Sequence, residues 1–161
     1  LLAKNFPLVL ENPEDLESRG GMQMGACLAG IAIENSMLGA THALANPLNA
    51  HYGIVHGQAI ATMLPHVIRF NAKTMERDYT LLAELAAENS PIITEASSGQ
   101  LATFISGLIR KAGLAGDLRS QNVEQSLLPQ LAEDANKQWT KQFNPLTVET
   151  EDLLSLYQQA F

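Results

Sequence analysis

The chain of 161 residues contains one cysteine, Cys27, so it can form no internal disulfide. Cys27 sits between Ala26 and Leu28 in an apolar run, where a buried thiol is expected, and a reducing, cytoplasmic setting fits that usage. Lysine and arginine are sparse and nowhere clustered, ten against seventeen acidic residues, and the formal charge is -7. No basic surface is therefore predicted to meet a phosphate backbone, and nucleic acid is excluded as a partner.

Long apolar runs are also missing. The most apolar window, Gly25 to Ile33, spans nine residues before Glu34, well short of the ~20 needed to cross a bilayer, so no membrane association is expected. The N-terminus lacks the basic, apolar, then small-residue pattern of a signal peptide. Aromatic residues make up 6%, and alternating β-branched runs are absent, which leaves strands with little support.

What is present reads at helical spacing throughout. Hydrophobic residues at 46% against 17% charged give an ordinary globular balance, and the length suits one domain, 1–161. The fold class predicted is all-α, a helical bundle-like domain. The opening LLAKNFPLVLEN begins on an apolar run with Leu1 rather than Met, which reads as part of a longer polypeptide.

A first short helix is predicted to end near Glu11, before Asn12 and Pro13, and a long one to run from Glu14 or Asp15 to about Met37. Gly25, Ala26, Ala29, Gly30 and Ala32 would let a neighbour approach closely, as in a central helix packed on several sides. Thr41 is a candidate N-cap for a short helix from His42 to about Ala50, ended by Tyr52 and Gly53. From Gly57 to about Phe70 an apolar helix follows, which Pro65 would kink or restart. Further helices are expected around Tyr79 to Glu88, Glu95 to Ala112, Val123 to Lys137 and Thr150 to Ala160, with Gly113 and Gly116 as stop signals. The stretch from Trp139 to Thr147 reads as an ordered loop in which Trp139 and Phe143 have apolar area to bury.

Several signatures of chemistry are absent: there is no HExxH, no phosphate-binding lysine loop and no GxGxxG. Cys27 lies mid-helix, a poor place for a nucleophile. Attention falls on THALANPLNAHYGIVHG, residues 41–57, which holds three of the four histidines. His42 and His56, fourteen positions apart, would lie ~21 Å apart on one straight helix, too far to share an ion. Pro47, Asn49 and the Tyr52–Gly53 pair could break the segment and bring them together, with His56 heading the next helix. The residues alone leave two readings open, a ligand pair or histidines that cap and pack. His51 reads as a turn residue and His66 as a hydrogen-bonded structural histidine. Asn46, one helical turn after His42, shares its face.

The run from Ala29 to Ala72 is more specific: a small-residue helix ending in LG, a His followed fourteen residues later by His-Gly, and LPHVIRFN. It closely resembles the C-terminal domain of the iron-containing (metal-dependent) alcohol dehydrogenases. GLAGDLRS at 113–120, NPLT at 144–147 and DLLSLYQQAF at the end agree more weakly, so the likeness covers nearly the whole chain.

The resemblance implies a metal-binding helical domain of an NAD(P)-dependent alcohol dehydrogenase, interconverting an alcohol and an aldehyde or ketone by hydride transfer. A divalent metal, Fe2+ or alternatively Zn2+, would polarise the substrate oxygen. Of the family's Asp and three His ligands, His42 and His56 match the last two, and the other two would lie upstream of this chain. NAD or NADP would bind mainly to an N-terminal nucleotide-binding domain of the same polypeptide, and the 161-residue chain by itself would be inactive. Asn46 stands where many members carry a histidine considered as a proton relay. An amide exchanges no proton at neutral pH, so Asn46 would instead orient a substrate hydroxyl. Asn49 stands where Gly is frequent, and Leu146 where Arg often follows NP. The alternatives are a glycerol-type or hydroxy-acid dehydrogenase of the same family using zinc, and a non-enzymatic helical interaction module. A homo-oligomer remains open, as does the alcohol.

Overall fold

The computed structural model describes residues 1–88 and 96–161, and among these every regular element is helical. Seven α-helices are α1 (Leu2–Glu11), α2 (Leu16–Ser36), α3 (Ala40–Tyr52), α4 (His56–Ala87), α5 (Ser98–Lys111), α6 (Leu128–Asn136) and α7 (Thr150–Gln159). Three short 3-10 turns, Arg119–Gln121, Gln125–Leu127 and Trp139–Phe143, fill the connections. No described helix is long and apolar enough to cross a membrane.

The helix starts follow local chemistry. Asp15 caps α2 by accepting from the amides of Glu17 and Ser18, and its hydrogen bonds with Ser18 hold its carboxyl below the usual range. Ser97 caps α5 through the Gln100 amide, and Glu149 with Asp152 forms a reciprocal capping box on α7. Gly113, in the left-handed region at φ 69°, closes α5 as expected of a stop signal. The predicted start of that helix at Glu95 lies outside the described residues.

The main core joins α3, α4, α6 and α7. Leu44, Leu48, Met63, Leu118, Leu131, Leu153, Leu156 and Tyr157 are buried there. A second cluster, Ile68, Ala83, Leu101 and Ala102, seals α4 against α5. Phe104 and Ala86 form a third, which Ala3 of α1 joins.

Both internal prolines that were expected to interrupt helices are carried through. Pro47 lies inside α3, which begins at Ala40 behind Gly39 rather than at a Thr41 cap, and Pro65 lies inside the 32-residue α4. A helix-interior proline costs about 3 kcal/mol. Leu44 and Leu48, one turn apart in α3, are both fully buried, and each such side chain contributes about 1.5–3 kcal/mol. Burial on one continuous helical face thus outweighs the lost hydrogen bond. For the same reason, the helix expected at Tyr79 to Glu88 is the far end of α4 rather than a separate element. The segment from Val123 to Lys137 divides the other way, into a 3-10 turn and then α6 with Pro129 in its first turn.

Three burial expectations are corrected. Helix α2 packs along α1 rather than at the centre, and its Leu28, Ile31 and Ile33 are exposed. Only part of its small-residue stripe meets a neighbour: a Cβ on Gly25 would strike the Leu2 side chain and one on Gly21 the buried Asn5 amide, whereas Gly30 faces open space. Cys27, on the same helix, is exposed. Trp139 and Phe143 are exposed as well and meet edge-to-face at 5.7 Å, because their 3-10 turn lies against α3 from outside.

Candidate functional site

Helix α3 is fixed at its start by residues from far along the chain. The Asn144 carboxamide oxygen accepts from the Ala40 amide at 3.3 Å and from Asn71 Nδ2 at 3.0 Å, while Asn144 Nδ2 donates to Asn71 Oδ1 at 2.7 Å. Asn144 Nδ2 also donates to the Leu146 carbonyl at 2.7 Å, which holds its own loop in shape. The packing is close enough that a Cβ on Gly39 would lie 3.2 Å from Asn144 Oδ1. Asn71 is buried, so this paired-amide clasp ties α4, the NPLT stretch and the start of α3 into one unit.

The end of α3 is equally defined. Gly53 takes φ 65°, a conformation that suits glycine, and its amide donates to the Asn49 carbonyl at 2.9 Å. Asn49 Nδ2 donates to the Ile54 carbonyl at 2.9 Å, and Ile54 is buried. The three residues 53–55 can span roughly 10 Å when extended. The rise from His42 to Tyr52 along α3 is roughly 15 Å, so this link plus two side-chain lengths suffices to return the chain beside His42. Helix α4 then opens at His56 itself.

The outcome is that the His42 and His56 rings stand with their centroids 5.4 Å apart at an interplanar angle of 47°. The break that joins them is the Gly53 turn alone, since the helix passes through Pro47 and Asn49. His42 is half-buried. Burial, reinforced by the neighbouring His56, lowers its pKa, which favours the neutral imidazole with a lone pair to offer.

The separation of the two rings matches that of imidazoles sharing one divalent ion. Imidazole nitrogens bind such an ion at about 2.0–2.1 Å, which places each ring centre about 3.2 Å away; two rings at a tetrahedral angle then have centres about 5.2 Å apart. Among the described residues no cluster of three or more His, Cys, Asp or Glu forms, so this chain offers two imidazole donors at the point.

Asn46 stands one turn along α3 from His42, and its Nδ2 donates to Gln138 Oε1 at 2.9 Å. His51 falls in the last turn of α3 rather than in a loop, on the surface, where its Nε2 meets Asp134 Oδ2 at 2.9 Å. His66 is half-buried beside Arg69, which together with burial lowers its pKa, with burial the larger cause. Its ring forms no hydrogen bond with any described residue, against expectation. Neither joins the His42–His56 pair. Sequence reasoning missed Gln138 and the Asn71–Asn144 clasp: their contacts span 92 and 73 positions, and single amides carry no periodic signal.

Comparison with known proteins agrees with this architecture. The sequence model described as "Fe-containing alcohol dehydrogenase family, C-terminal" matches residues 1–161. A 1,3-propanediol dehydrogenase of Citrobacter freundii is 31% identical over 162 residues, covering 100% of this chain and 42% of that protein. The lactaldehyde reductase of Escherichia coli (strain K12) is 30% identical over 148 residues, 91% of this chain and 39% of the relative. The crystal structure of a 1,3-propanediol oxidoreductase superposes with a TM-score of 0.85 at 30% identity, covering 99% of this chain and 44% of that one. An alcohol dehydrogenase from Oenococcus oeni shares the fold with a TM-score of 0.86 at 23% identity. The chain thus spans about two-fifths of the length of these relatives. With its all-helical fold and a match along its whole length, this chain belongs to the Fe-containing alcohol dehydrogenase family, corresponding to the family's C-terminal region.

Proposed function

We infer that the chain is the metal-binding part of an NAD(P)-dependent alcohol dehydrogenase, in which His42 and His56 supply two ligands to one divalent ion, Fe2+ in the first instance. The observation that carries this reading is the 5.4 Å approach of two imidazoles that are fourteen residues apart in sequence. Residues outside this chain complete the coordination, and a nucleotide-binding domain N-terminal to it holds the nicotinamide cofactor.

When bound, the ion supplies Lewis acidity: it stabilises negative charge on the alcohol oxygen while hydride passes to the nicotinamide, or polarises a carbonyl in the reverse direction. The chain's own residues prepare that chemistry. The burial that disfavours His42 protonation leaves a neutral donor near pH 7. His56, as the first residue of α4, is set by the Gly53 turn and by the Asn49–Ile54 hydrogen bond. The clasp of Asn144 on Ala40 fixes the register of α3 and with it the height of His42. Asn46, on the His42 face, can hydrogen-bond a substrate hydroxyl but holds no exchangeable acid proton near neutral pH. Asn46 itself therefore neither supplies nor takes up the substrate proton.

The test uses the full-length enzyme. Metal content per subunit and alcohol-dependent NAD(P) reduction are measured for the unmodified protein and for His42→Ala and His56→Ala. Loss of metal and of activity in both variants is expected, with elemental analysis of the unmodified enzyme deciding between iron and zinc. Unchanged occupancy and turnover would sink the assignment.

A further inference from the structure

Helix α2 has 21 residues and α1 has 10, so at 1.5 Å per residue α2 is about twice as long as the helix beside it. The two run antiparallel: Asn5 lies against Gly21 and Leu2 against Gly25, which puts the start of α1 at the middle of α2. From Ala26 to Met37 every residue is exposed. The first eight of them, ACLAGIAI, are all apolar or small, and at about 100° per residue they pass more than twice round the helix. This half of α2 is therefore apolar on all sides, with Leu28 51% and Ile31 55% exposed. Beyond it, Asn35 Nδ2 and Ser36 Oγ donate to the Ile31 and Ala32 carbonyls at 2.8 Å, so these polar side chains turn back on their own helix. A helix apolar all round belongs in an interior.

We propose that the polypeptide upstream of Leu1 encloses this half of α2, entering as a helix packed on its small residues. This rests on the reading above, in which the chain is part of a longer dehydrogenase. The direction of entry follows from the packing: a Cβ on Gly25 would lie 3.4 Å from Leu1 Cβ, so chain arriving at Leu1 passes the first uncovered turn of α2. A helix that extends α1 backwards runs along Ala26 to Ser36. Ala26, Ala29 and Ala32 let its backbone come close, and a Cβ on Gly30 would find no atom within 4 Å, which leaves room for it. Length is available, since the chain covers 42% of the Citrobacter freundii relative and matches the family's C-terminal region. A second copy fits less well. A two-fold contact pairs one face of α2 with a like face and leaves the opposite side bare, whereas the apolar exposure runs round the helix.

Cys27, exposed in this chain, reports on the cover in the full-length enzyme. Its alkylation by iodoacetamide is timed by mass spectrometry of its own peptide, in native and in guanidinium-denatured enzyme. Native alkylation at least about a hundredfold slower than denatured is expected, and a smaller protection overturns the proposal. Ala29→Cys in a Cys27→Ala background probes the opposite side of the helix and is expected to be protected equally; a reactive thiol there shows a one-sided cover and overturns the enclosure. The Cys27 measurement needs no substitution, so it stands if that variant fails to fold. Photo-leucine, close to leucine in size, then identifies the occupant through adducts formed at Leu28. Adducts to peptides upstream of Leu1, at the mass of a single chain on a denaturing gel, are expected. Adducts at the mass of two chains assign the face to a second copy and overturn the proposal. The metal assignment stands or falls separately on occupancy in His42→Ala and His56→Ala.

Discussion

The Tyr157 hydroxyl donates to the Leu44 carbonyl at 2.6 Å, joining α7 to the middle of α3 across 113 positions. Leu44 lies one turn before Pro47, in the part of α3 whose hydrogen-bond ladder the proline weakens, and two residues after His42. Tyr157 is fully buried, and burial pushes its ionisation far above the usual tyrosine range, so it remains a donor at any working pH. Replacing Tyr157 by Phe removes the bond while keeping the ring, and a loss of about 0.5–1.5 kcal/mol is expected. Urea denaturation of the two proteins checks this, and an unchanged midpoint would show that the bond contributes nothing.

The Asn71–Asn144 clasp should matter more. Asn144→Ala leaves the buried Asn71 amide without its two bonds to residue 144 and frees the Ala40 amide, a cost of about 1–3 kcal/mol. Because the clasp sets the start of α3, metal affinity is expected to fall as well, in contrast to Tyr157→Phe. Parallel chelator titration and thermal melting separate the two effects.

Asp134 provides a pH-dependent contribution. Lys137 first, then His51 and Gln130, hold its carboxyl down to about 2 from the ordinary 3.8. A depressed folded-state value stabilises above the unfolded pKa and fades as pH falls through the folded one. The stability difference between the unmodified protein and Asp134→Asn should therefore be present above about pH 4 and close between pH 4 and about 2. As a surface network its size is small, so the sign and the window are the prediction. Denaturant midpoints measured across that range test it.

Gly107 lies in the interior of α5, and a Cβ added there would have no neighbouring atom within 4 Å, so Gly107→Ala meets no obstacle. The substitution removes the entropic cost of glycine in a helix, and a gain of about 0.5–1 kcal/mol is expected. A lower thermal midpoint would mean that α5 packs more tightly there than its surroundings indicate.

Purified by itself, the 161-residue chain is expected to show no alcohol-dependent reduction of NAD or NADP, since it offers two imidazole donors at the site and no glycine-rich phosphate loop. Hydride transfer by that chain would contradict the division of labour proposed here.

Helical periodicity, caps and composition determined much of this protein. The all-α class, the Asp15 start of α2 and the stop at Gly113 were readable, because each depends on neighbours within a few positions, whereas the approach of His42 and His56, fourteen positions apart, was left open by the residues alone and was expected only from the family resemblance. Tertiary structure decided the rest. Continuous helices through Pro47 and Pro65 required burial that local propensity does not register. The exposure of Cys27, Trp139 and Phe143 depended on which faces found partners, since an apolar side chain specifies a need for cover but not its supplier. The hydrogen bond from Asn46 to Gln138 spans 92 positions, and nothing in the sequence near either residue marks it.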